Sequence, residues 1–290
     1  MSAISRMHQS LKVAKMPDAL LLANDDDVCF KLESFFKENN FRFKFTREDE
    51  HLTDWLKTLP FDLLMIPANL PFEFQQKYAF QLWDLNPQAF LVLYDPNDTQ
   101  GLNAKRTRLL GASLATGEKF WDSIQRIAFK ILGCKYIKKS DFKVLVVEDL
   151  DAARDIICTY VESLGYPHVC GVASAGEALE LLSKGKHIFD CVMTDERMPH
   201  MAGHELISKI RLSDDHKDMP LIVLTAHGTP DCLMQALKVG ASGFLTKPPI
   251  KTDLIRELAR AMRVKVGLEK ARLVEEQNAD EIVDLLSQRL

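Results

Sequence analysis

The stretch KVLVVED, residues 143–149, decides the fold. Five residues from Lys143 to Val147 are nearly all aliphatic and mostly β-branched, with no polar alternation. A strand of that kind is buried on both faces, as in a parallel sheet covered by helices. Two acids, Glu148 and Asp149, follow at once, and residues 152–164 then carry helical periodicity. The pattern recurs downstream. Strands are predicted at 168–172, 191–195, 221–225 and 243–246, and helices near 175–184, 203–212, 230–239 and 251–264. Strands alternating with helices predict a parallel sheet with helices on both sides.

The first half repeats the plan. Strands are predicted at 20–23, 42–46, 63–67, 90–94 and 113–115. FDLLMIPANLP (61–71) aligns without gaps on FDCVMTDERMP (189–199), LGAS (110–113) on VGAS (239–242), and FLVLYD (90–95) on LIVLTA (221–226). An offset this long is a duplicated domain rather than a short-period solenoid. The expected fold class is α/β. It comprises two tandem doubly wound five-stranded parallel-sheet domains, at 18–134 and 142–264, and a C-terminal helical extension at 265–290. The stretch 135–141 is polar and basic and is expected to be a solvated linker.

Composition narrows the function classes. The 290 residues carry a formal net charge of -4 with both signs interspersed, so a nucleic-acid or anionic-membrane surface is not expected. No apolar run reaches the roughly 18 residues of a membrane-spanning helix, and the N-terminus lacks the apolar core of a signal peptide. The six cysteines are scattered without a CxxC pair, which fits a reducing cytoplasm and argues against zinc.

The polar residues that interrupt the apolar pattern fall at strand ends. Glu148 and Asp149 follow the first strand of the second half, Asp195 ends the third, Thr225 ends the fourth and Lys247 follows the fifth. Open parallel sheets bind ligands at that edge. Clustered carboxylates suit a hard divalent cation such as Mg²⁺, which takes one or two carboxylates and a phosphoryl oxygen. An aspartate can attack phosphorus to form an acyl phosphate, with Mg²⁺ and the Lys247 ammonium stabilising the transferring group. The Thr225 hydroxyl can then hydrogen-bond the phosphoryl group and move the loop behind it.

VLVVEDLDAAR, FDCVMTDERMP, PLIVLTAHG and GASGFLTKP resemble the signatures of the bacterial response-regulator receiver domain. The resemblance covers about residues 142–264. It implies strand order 2-1-3-4-5, Asp195 as phosphoacceptor, and Glu148, Asp149 and Asp195 around Mg²⁺. Thr225 and Phe244 resemble the switch pair, and Lys247 the phosphate-contacting lysine, joined to Pro248 by a bond that is cis in the family. By analogy Arg197 and His227 tune dephosphorylation. The implied donor is a histidine kinase or a histidine phosphotransfer protein. His200 and His204 are not expected to form a metal pair, because the loop with Gly203 separates them.

The first half keeps the fold pattern and loses the chemistry. Pro67 stands at the position of Asp195, Tyr94 at that of Thr225 and Glu118 at that of Lys247, while Asn24 and Asp25 match Glu148 and Asp149. Proline has no nucleophile, so 18–134 is expected to be a pseudo-receiver that offers a regulatory or protein-binding surface. Asp25–Asp27 either hold a cation or cap a helix.

The expected whole is a cytoplasmic response regulator, not an enzyme beyond receiver-type self-phosphorylation and dephosphorylation. It would signal through protein contacts without a DNA-binding domain. An alternative is the N-terminal regulatory half of a larger enzyme with a cyclic-dinucleotide or kinase output beyond Leu290. A phosphatase of the haloacid-dehalogenase type is disfavoured, since it places its nucleophile after the first strand with a second Asp two residues on. Leu258, Met262, Leu268, Ile282, Leu285 and Leu286 form an apolar stripe, suited either to homodimerisation or to packing back on the domain.

Overall fold

A computed structural model describes residues 16–97, 107, 110–185, 188–225 and 230–273. The first half contains β1 (Asp18–Leu22), α1 (Asp26–Glu38), β2 (Arg42–Thr46), α2 (Asp49–Thr58), β3 (Leu63–Pro67), α3 (Phe72–Leu85), β4 (Phe90–Asp95), β5 (Ser113–Thr116) and α4 (Phe120–Leu132). The second contains β6 (Lys143–Val147), α5 (Asp151–Ser163), β7 (His168–Val172), α6 (Ala175–Ser183), β8 (Cys191–Asp195), α7 (Gly203–Leu212), β9 (Leu221–Thr225), α8 (Pro230–Val239), β10 (Gly243–Thr246) and α9 (Lys251–Lys265).

Each half forms one five-stranded parallel sheet, ordered β2-β1-β3-β4-β5 and, correspondingly, β7-β6-β8-β9-β10. The central strands are apolar because helices cover both faces: every residue of β3, β8 and β9 is buried. Helix starts follow local capping chemistry. Ser174 Oγ accepts the Glu177 N–H at 3.2 Å, and Glu177 Oε2 accepts the Ala173 N–H at 3.3 Å, a reciprocal cap at the start of α6. Asp25 Oδ1 accepts the Val28 N–H at 2.9 Å, so the first of the three consecutive acids caps α1.

The halves share a core. Leu82, Trp83 and Leu110 of the first join Leu254, Leu258 and Met262 of α9 in one buried cluster. The stretch 135–141 is exposed at five of its seven residues, and Ile137 and Lys139 hold it to both sides. Lys139 Nζ donates to Asp84 O at 2.8 Å and Leu164 O at 3.2 Å, and Gln88 Nε2 donates to Ile137 O at 2.7 Å. Desolvation there lowers the Lys139 pKa from its ordinary value.

The chain leaves helical conformation at Val266, and residues 266–273 run in turns and bends along the seam. Leu268 O accepts from Lys130 Nζ at 3.2 Å, and Leu273 N donates to Ala241 O at 2.9 Å. Of the apolar stripe, Leu258, Met262 and Leu268 are buried inside the chain itself. Ile282, Leu285 and Leu286, with the rest of the expected helical extension, lie outside the described residues. Among the described residues no helix is long and apolar enough to cross a membrane.

Candidate functional site

Parallel pairing carries the strand ends of the second sheet to one edge. Val147 lies beside Thr194, Asp195 beside Leu224, and Thr225 beside Thr246. Main-chain bonds past the strands then fix the loops: Glu148 N donates to Val172 O at 3.1 Å, Glu196 N to Leu224 O at 2.9 Å and Lys247 N to Thr225 O at 2.8 Å. The order β7-β6-β8 places the switch point between β6 and β8, where a crevice opens.

Glu148, Asp149 and Asp195 meet in that crevice, with one carboxylate oxygen of each within 4.8 Å of the others. Lys247 Nζ stands 2.5 Å from Glu148 Oε2 and 2.9 Å from Asp195 Oδ1. Glu148 is fully buried, Asp195 is buried and Asp149 is half-buried. Burial raises the Glu148 pKa above the ordinary carboxylate value, and the Lys247 hydrogen bond opposes that shift. Among the described residues three carboxylates face one ammonium, and Glu148 Oε1 is buried with no hydrogen-bond partner. An orphaned, inward carboxylate oxygen beside two other acids is a donor set that fits a hard divalent cation.

Thr225 is buried at the end of β9. Phe244 is half-buried on β10 and packs against the core on one face of the sheet. Arg197 is exposed on the loop after Asp195. His227 lies outside the described residues. His200, also exposed, takes a left-handed backbone with φ 68°.

Two features of this loop were not singled out from the sequence. Glu196, next to the central aspartate, is buried and lies 2.6 Å from His204 Nδ1 on α7. Burial raises its pKa, against the pull of His204. Gly203 starts α7 directly against the strand end: a Cβ there would sit 2.3 Å from Asp195 O. The signal for both was present, as an acid inside an apolar motif and a glycine at a helix start, but neither feature is distinctive without the packing.

The corresponding edge of the first sheet is closed. Pro67 is buried at the end of β3. Tyr94 is buried beside it, its hydroxyl 2.8 Å from Leu22 O and 2.8 Å from Asn24 Oδ1, and it accepts the Asn24 N–H at 3.3 Å. Burial raises the Tyr94 pKa far above its ordinary value. Gln75 Nε2 staples the following loop by donating to Ala68 O at 3.1 Å and Leu70 O at 2.9 Å. Among the described residues Asp25, Asp26 and Asp27 do not converge as a metal-holding group.

Known proteins share this second half. A family model described as the response regulator receiver domain matches residues 144–259. The chemotaxis protein CheY-3 of Vibrio cholerae serotype O1 is 31% identical over 112 residues, spanning 39% of this chain and 85% of that protein. A chemotaxis protein CheY homolog of Campylobacter jejuni is 36% identical over 106 residues, spanning 37% of this chain and 81% of its own length. The solved structure of the chemotaxis response regulator CheY4 of Vibrio cholerae aligns with 32% identity and a TM-score of 0.38, covering 41% of this chain and 98% of that one.

Proposed function

The chain belongs to the response regulator receiver domain family, and from that premise we propose that its second half is a phosphorylation switch with Asp195 as the phosphoacceptor. The observation that carries this is the joint approach of Lys247 Nζ to Asp195 and Glu148, with Glu148 Oε1 beside Asp149 and without a hydrogen-bond partner among the described residues. Glu148, Asp149 and Asp195 would hold a Mg²⁺ ion. When bound, that ion neutralises charge on the phosphoryl oxygens.

The phosphoryl donor is a phosphohistidine on a histidine kinase or phosphotransfer protein. An Asp195 carboxylate oxygen attacks phosphorus, the P–N bond breaks, and the departing imidazole nitrogen takes up a proton. Lys247 leaves its bond to Glu148 and follows the phosphoryl oxygens. The Thr225 hydroxyl donates to one of them, and Phe244 repacks on β10 as Thr225 shifts. Hydrolysis returns the carboxylate and releases inorganic phosphate. By analogy with the family, Arg197 and His227 tune the rate of that hydrolysis.

The first half acts as a pseudo-receiver. Pro67 supplies no nucleophile, and the Tyr94 hydroxyl already occupies the polar groups at the end of β1. Output passes through protein contacts in the cytoplasm, and chemistry is confined to receiver-type self-phosphorylation and dephosphorylation.

The test is phosphoryl incorporation from acetyl phosphate, read as intact mass. Mg²⁺-dependent gain of one phosphoryl group in the wild type and none in Asp195→Asn is expected. Labelling that persists in Asp195→Asn, or none in folded wild type, overturns the assignment.

A further inference from the structure

α9 is buried along nearly its whole length, although three of its buried residues carry charge. Glu257 is 2% exposed, Arg260 3% and Arg263 1%. Charges are rarely taken so far from water without a network around them. One side of the network rests on β10: a Cβ on Gly243 would lie 1.9 Å from Glu257 Oε2, so only glycine admits that carboxylate. The other side reaches the first half. Arg263 Nη1 donates to Pro87 O at 3.2 Å, and its guanidinium lies 4.7 Å from the centre of the Trp83 ring. Between the two, Arg260 stands 3.6 Å from Glu257 and 3.7 Å from Glu269, and Arg263 Nε donates to Glu269 at 2.5 Å.

The network is incompletely satisfied. Among the described residues Glu257 Oε2 and Arg263 Nη2 are buried with no hydrogen-bond partner, while Arg260 Nη1 stands 3.6 Å from that Glu257 oxygen and Arg256 Nε donates to Glu257 Oε1 at 2.8 Å. Hydrogen-bond and salt-bridge networks on packed elements are one physical means by which coupling is carried between distant sites. β10 joins this element to the candidate site. Gly243 at one end carries Glu257, and Lys247 just past the other end touches Asp195 and Glu148.

We propose that the first half is the built-in reader of the Asp195 site, coupled to it through β10 and the Glu257–Arg260–Arg263–Glu269 network. Phosphorylation draws Lys247 away from Glu148 and displaces the end of β10 and the start of α9. The network re-pairs, and the hold of Arg263 on Trp83 and Pro87 changes. The partner that senses the switch is thus a segment of the same chain. This rests on Asp195 being the phosphoacceptor.

The seam carries its own reporter. Trp55→Phe with Trp121→Phe leaves Trp83 as the sole tryptophan in the full chain. Its emission is expected to change on titration with beryllium trifluoride and Mg²⁺, a non-covalent mimic of the aspartyl phosphate, and to stay constant in Asp195→Asn. In the unsubstituted chain, amide exchange across α3 changes under the same conditions. Linkage is reciprocal, so Trp83→Phe and, separately, Arg263→Lys shift the apparent affinity for the mimic by about fivefold or more. Phosphoryl loading seen by mass, with Trp83 emission and α3 exchange unaltered, overturns the coupling and leaves Asp195 standing. No loading in the folded chain overturns Asp195 and the coupling together.

Discussion

The Lys247 ammonium lies 2.9 Å from Asp195 Oδ1 and within hydrogen-bonding distance of Glu148 on the other side. One cation therefore spans the pocket that a divalent ion would share. Lys247→Met removes a competing positive charge and a stabiliser of the transferring group at once. Mg²⁺ affinity is expected to rise about threefold to tenfold by calorimetry, about 0.7 to 1.4 kcal/mol. The rate of phosphoryl incorporation is expected to fall by about a hundredfold. Movement of both quantities in the same direction would separate Lys247 from the reaction.

Glu148 sets a pH dependence of stability. Its carboxyl is fully buried and titrates above the ordinary carboxylate range because of desolvation. The folded chain therefore keeps this proton to a higher pH than the unfolded chain does. The contribution is fully present below the ordinary carboxylate pKa and is lost as pH rises through the raised value. In chelator, thermal melts of Glu148→Gln are expected to lose that part of the decline, so the variant gains on the wild type as pH rises above the ordinary carboxylate pKa. Its Mg²⁺ affinity falls by about tenfold or more, about 1.4 kcal/mol.

Gly203→Ala places a methyl group where only 2.3 Å separates the Cβ position from Asp195 O, a backbone atom that cannot swing aside. The loop must shift at a cost of about 1 to 3 kcal/mol. A lower midpoint in denaturant is expected, together with slower phosphoryl incorporation, because the displaced carbonyl belongs to the acceptor. An unchanged midpoint would mean that α7 re-seats freely.

Restoring an acid to the first half is not expected to restore chemistry. In Pro67→Asp combined with Asp195→Asn, intact mass should show no Mg²⁺-dependent labelling, because the Tyr94 hydroxyl stays engaged with Leu22 O and Asn24. Tyr94→Phe leaves those buried groups short of a partner and is expected to cost about 1 to 3 kcal/mol in the unfolding free energy.

Much of this molecule was legible from one dimension. β2, β3 and β6 to β10 start and end at the expected residues, as do α7 and α8, and in β3, β6, β8 and β9 those limits follow the apolar runs. A strand covered on both faces must be apolar throughout, so its limits are written in composition alone, and the polar residue that ends it lands at the sheet edge. Glu148, Asp149, Asp195 and Lys247 could be brought together on paper for that reason, and the structure brings them together. The fate of Tyr94 could not be read, since a tyrosine aligned with a threonine gives no direction for its hydroxyl. Nor could the interior placement of Glu257, Arg260 and Arg263, which on a single amphipathic helix are surface residues. The burial of Arg263 depends on Trp83 and Pro87 from a distant part of the chain and that of Glu257 on Gly243 of β10, and local periodicity carries no information about either neighbour. The sequence by itself determined two parallel sheets and the residues at one edge of the second. Tertiary structure alone decided that the other edge is plugged, that Gly203 and Gly243 have no room for a side chain, and that the halves meet over buried charge, because each of these follows from contacts between segments whose separation in sequence leaves no local trace.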